Sequence, residues 1–75
     1  MTKMHLIGPV WYIDTNTPNG GIKMYSVTVD GIKASTFRKT VGELIESLVK
    51  GEQVEIAYRK AADGKGNDLL AIWPA

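Results

Sequence analysis

One histidine, no cysteine and eight carboxylates are the raw material for acid–base, nucleophilic or metal chemistry in this chain. Their placement suits none of the three. His5 stands alone near the N-terminus, whereas a metal centre or an acid–base pair draws on several converging groups. The run Asp63-Gly64-Lys65-Gly66-Asn67-Asp68 spaces oxygen donors somewhat as a calcium loop does. Lys65 nevertheless occupies a position that needs an oxygen ligand, and Asp68 stands where that loop requires glycine. Gly64-Lys65-Gly66 lacks the rest of a phosphate-binding loop. Ser26, Ser35 and Ser47 have no base partner in the pattern. The chain is therefore expected to be no enzyme and to carry no metal or other cofactor.

Phe37 offers a different chemistry, because Lys33 and Lys39 flank it. An aromatic ring bracketed by cations suits a single nucleic acid strand, whose bases stack on the ring while its phosphates pair with the ammonium groups. Whether these side chains share a face depends on the elements that carry them.

Asp30-Gly31 is a two-residue hairpin signal, since both residues tolerate the positive φ of a type I′ turn. Turning there pairs Val29 with Ile32, Val27 with Ala34, Tyr25 with Thr36 and Lys23 with Arg38 on one face. The opposite face receives Thr28 with Lys33, Ser26 with Ser35, Met24 with Phe37 and Ile22 with Lys39. The first set is the more apolar near the turn and is assigned to the core; a slip of one residue would exchange the two faces.

Thr40-Val41-Gly42-Glu43 has the pattern of a capping box, and Val41, Leu44, Ile45, Leu48 and Val49 recur at helical spacing. A helix is expected from about Val41 to Lys50, capped by Thr40 and stopped by Gly51, with that stripe packed in the core. Before the hairpin, Met4–Ile13 reads as a strongly apolar first strand interrupted at Gly8-Pro9, a place for a bend or bulge. Residues 15–21 read as a loop. Alternation of Val54, Ile56 and Tyr58 with polar residues marks a fourth strand at 52–60, and residues 68–73 mark a fifth. Trp11, Tyr12 and Trp73 are read first as core or barrel-mouth packing.

Five strands with one helix between the third and fourth give an all-β domain with a single helix. That order points to the five-stranded OB Greek-key barrel, here one domain over residues 1–75. Its outer face at strands two and three would then present Phe37, Met24, Lys33, Lys39, Ser26 and Ser35. Arg59, Lys60 and Lys65 would close over one side, and Trp11 is a further candidate for contact with the strand.

Composition agrees with a binding module while saying little about its partner. A net charge of +1 is too small to argue for nucleic acid by itself. The absence of cysteine, of a signal-peptide pattern and of a long apolar run suggests a soluble, cytoplasmic protein with no membrane partner.

The segments Tyr25-Ser-Val-Thr-Val-Asp-Gly-Ile-Lys-Ala-Ser-Thr-Phe37 and Leu48-Val-Lys-Gly-Glu-Gln-Val-Glu-Ile-Ala-Tyr58 resemble OB-fold single-stranded DNA-binding proteins. They are similar to the domains of replication protein A. That resemblance implies binding of single-stranded DNA or RNA, DNA first, with Phe37 matching a stacking aromatic and Trp11 and Tyr58 matching less closely. The alternative is a small OB-fold adaptor or assembly subunit docking another protein through Met24, Ile22 and Phe37.

Overall fold

The computed structural model describes residues 2–18 and 20–75. Its elements are β1 (Met4–Asn16), β2 (Met24–Val29), β3 (Ile32–Thr36), α1 (Lys39–Glu46), β4 (Gln53–Lys60) and β5 (Asn67–Pro74). The strands form one sheet that closes on itself as a ring in the order β1-β2-β3-β5-β4. Closure removes the open edges that would otherwise invite pairing with another chain.

Strand β1 is long because two neighbours share it. Met4–Pro9 pairs with β4, and Val10–Asn16 pairs with β2. The hand-over is held by backbone bonds: Val10 N–H donates to the Glu52 carbonyl at 2.9 Å, and Gly51 N–H donates to the Val10 carbonyl at 2.8 Å. The expected interruption at Gly8-Pro9 is absent, since both residues lie within the ladder to β4. Gly8 is instead a point of close approach, where a Cβ would stand 2.8 Å from Asp30 Cβ. A register shift falls between Val10 and Tyr12, so Trp11 is the extra residue of a bulge.

The hairpin matches its expectation. Asp30 and Gly31 take φ values of 49° and 89°, and the ladder runs from Val29↔Ile32 to Tyr25↔Thr36. Val27, Val29 and Ala34 are fully buried, with Tyr25 and Thr36 nearly so. The pairing ends there. Met24–Phe37, Lys23–Arg38 and Ile22–Lys39 are not ladder pairs, because the chain leaves β3 after Thr36 to enter the helix.

The helix starts and stops earlier than its pattern suggests. Arg38, not Thr40, is the N-cap, and no side chain caps it. Thr36 Oγ1 accepts the Arg38 N–H at 3.0 Å, which turns the chain into the helix from inside the core. Thr40 therefore lies within the first turn, and Glu43 lies beyond it. After Glu46 the chain unwinds into the turn that delivers Gly51 and Glu52 to Val10, so the tertiary bond to β1 wins over continued helix. Ile45 is fully buried and Val41 and Leu48 pack against the core, but Leu44 and Val49 are exposed. Gly42 is the other buried helical residue. A Cβ there would collide with the Tyr25 ring, so glycine lets the helix lie directly on that aromatic.

The ring is thinnest between β3 and β5. These two strands run parallel and share one bridge, Ser35↔Asp68, supplemented by Asn67 Nδ2 donating to the Lys33 carbonyl at 2.9 Å.

Candidate functional site

A groove of about 840 Å³ runs along that thin seam. One wall is β3 with Phe37 and Arg38 beyond its end, the other is the start of β5, and residues 61–66 close the side. A fully laddered sheet would leave no such opening. Two strands that meet at one bridge splay apart, and side chains line the gap.

Phe37 is half exposed in this groove, and Met24 lines it as a half-buried neighbour. Lys33, Arg38, Arg59 and Lys65 supply four cations, against the carboxylates of Asp63 and Asp68. Arg59 Nε stands 3.9 Å from Asp68 Oδ2. Among the described residues, Lys33, Arg38 and Lys65 make no ion pair. Asp63 is engaged locally, accepting the Lys65 N–H at 2.9 Å, and so holds the tight turn that carries Lys65 to the rim.

The groove gathers only some of the residues expected at it. Ser26 is on the outer face as expected, yet it is buried at the middle of three strands, and its hydroxyl is 2.8 Å from that of Ser35. Ser35 does line the groove. Lys39 is not on the strand face beside Phe37; it is the first residue of the helix and does not line the groove. Lys60 ends β4 and also falls outside it. Trp11 belongs to neither the core nor the groove. It is 43% exposed, with its indole Cη2 3.7 Å from where a Gly31 Cβ would stand. Arg38, Asn67, Asp63 and Asp68 were missed, and only the seam between β3 and β5 brings them to the others. Nothing in the local pattern marks a pairing of strands separated by a helix and a fourth strand.

On the far side of the ring, His5, Glu55 and Trp73 form a self-contained cluster. Trp73 Nε1 donates to Glu55 Oε1 at 3.0 Å, His5 Nδ1 is 3.3 Å from Glu55 Oε2, and the two rings meet edge-on at 6.3 Å. Lys23 is engaged as well. Its ammonium donates to Glu46 Oε2 at 2.9 Å, which holds its pKa above the ordinary lysine value. The described residues include no group of three or more metal-ligating side chains, and no described helix is long and apolar enough to cross a membrane.

Comparison with known proteins returns nothing: no family model, no curated protein and no solved structure matches this chain.

Proposed function

We propose that this chain is an OB-fold module that binds single-stranded nucleic acid, DNA before RNA, in the groove between β3 and β5. The strand order 1-2-3-5-4, closing back on β1, and a helix between β3 and β4 support the fold reading. So does the resemblance of residues 25–37 and 48–58 to the domains of replication protein A.

The observation that carries the functional reading is a half-exposed Phe37 sharing one open groove with Lys33, Arg38 and Lys65, which make no ion pair among the described residues. Stacking on Phe37 is tolerant of sequence, because every base has a π-face. Lys33, Arg38, Arg59 and Lys65 then track the phosphates. The hydroxyl of Ser35, 2.8 Å from that of Ser26, offers a polar group to base edges or sugar. No acid, base or nucleophile is assigned, and the function is binding alone.

The test is a titration of a fluorescently labelled oligothymidylate of about sixteen residues, at the upper end of OB site sizes. About four phosphate contacts on a single strand give a salt slope of roughly −3, so affinity falls about 50-fold between about 50 and 200 mM salt. Duplex DNA of the same length binds more weakly, because its bases are not free to stack. No binding at low salt would sink the reading. A second reading, docking of a protein through Met24, Ile22 and Phe37, draws support from the exposure of Ile22 and Phe37. It predicts little dependence on salt.

A further inference from the structure

The bulge in β1 changes what the first strand presents. In an unbroken register, Trp11 would face outward and Tyr12 inward, since successive side chains alternate. One extra residue between the Val10↔Val29 and Tyr12↔Thr28 pairs keeps Val10 in the core and turns Tyr12 outward. Two consecutive aromatics are thereby exposed, Trp11 at 43% and Tyr12 at 62%. Large aromatics left this open forfeit the burial that usually justifies them.

Their position links them to the groove. Tyr12 pairs with Thr28, and Thr28 pairs with Lys33. These three therefore form one row across the outer face, with Tyr12 about 10 Å from Lys33 by two strand spacings. Trp11 rests beside Gly31, which is itself at the groove's end. Lys50 places its ammonium over the Tyr12 ring, 5.2 Å from the centroid. The aromatic pair thus carries its own cation and adjoins another. Carboxylates stand on either side, Asp14 beside Ser26 and Asp30 at the turn, so a polyanion crossing the face meets least repulsion along the row of Tyr12, Thr28 and Lys33 itself.

We propose that Trp11 and Tyr12 form a second stacking platform for the same single strand, which leaves the groove over Lys33 and crosses β2 onto β1. This rests on the single-strand reading above and adds a path and a footprint to it. A short oligonucleotide occupies the groove alone, and a longer one also covers the bulge.

The chain has two tryptophans, so Trp73→Phe leaves Trp11 as the sole reporter. In that variant, saturation with an oligothymidylate of about fifteen residues quenches Trp11 emission, and one of about four residues leaves it unchanged. The double variant Trp11→Ala, Tyr12→Ala loses about 5- to 150-fold in affinity for the longer oligonucleotide and nothing for the shorter. Binding of the long strand by anisotropy with silent Trp11 emission would overturn the platform and leave the groove standing. Equal loss at both lengths, or none at either, would overturn it too. Absence of all binding would remove the groove reading and the platform together. Should the double variant fail to fold, the emission of Trp73→Phe decides alone.

Discussion

Tyr25 pairs across the β2–β3 hairpin with Thr36, and Phe37 is the next residue along. The two aromatics stand at the same open end of one hairpin and meet opposite surroundings. Tyr25 faces inward, is 5% exposed and lies directly under Gly42 of the helix. Phe37 follows the last residue of β3, is 52% exposed and lines the groove along the β3–β5 seam. Trp73 adds a third condition: 39% exposed, but tied by its indole N–H to Glu55 and set against His5. Exposure alone therefore does not distinguish a site from a surface. What separates Phe37 from Trp73 is that the polar groups around Trp73 are engaged with one another, whereas Lys33, Arg38 and Lys65 around Phe37 make no ion pair among the described residues.

Truncating the inner aromatic gives the largest effect. Tyr25→Ala is expected to cost about 3–5 kcal/mol of folding stability, the range for removing a large buried ring and leaving a cavity. Denaturant unfolding measures it. A loss below about 1 kcal/mol would mean that the helix does not depend on the ring beneath Gly42.

Phe37→Ala reverses the pattern. Single-strand affinity falls by about 1–3 kcal/mol, while stability stays within about 0.5 kcal/mol. The salt slope is nearly unchanged, since no phosphate contact is removed. Trp73→Ala serves as the control aromatic and leaves affinity as it was; an equal loss in both variants would erase the contrast drawn between them.

Lys33→Ala sharpens the electrostatic half. The slope of log affinity against log salt becomes shallower by about 0.7, the value for one contact on a single strand. An unchanged slope would take Lys33 off the path of the phosphates and break the proposed link from the groove to Tyr12.

The smallest expected effect is at Thr40. Because Arg38 is the N-cap and Thr40 lies inside the first turn, Thr40→Ala should change stability by no more than about 0.5 kcal/mol. A loss of about 1 kcal/mol, the usual cost of deleting a capping side chain, would restore the capping box read from the sequence.

Local chemistry in the sequence determined the hairpin between Tyr25 and Thr36: Asp30-Gly31 accepts positive φ at both positions, and period-two alternation then assigns the inner and outer residues of that stretch. It also determined the order of five strands and one helix, and it named Phe37, Met24, Lys33, Arg59 and Lys65, all of which line the groove. Tertiary structure decided the rest, wherever a distant partner outbid a local preference. The helix yields its last turn so that Gly51 and Glu52 can bond Val10, which leaves Val49 exposed, and it turns Gly42 and Ile45 inward, which leaves Leu44 exposed despite its helical spacing. Gly42 reads as a weak helix residue until Tyr25 is seen against it. One inserted residue in β1 reverses the parity that would bury Tyr12. The seam between β3 and β5 brings Arg38, Asp63, Asn67 and Asp68 to Phe37, because closing the ring joins strands that sequence spacing keeps apart.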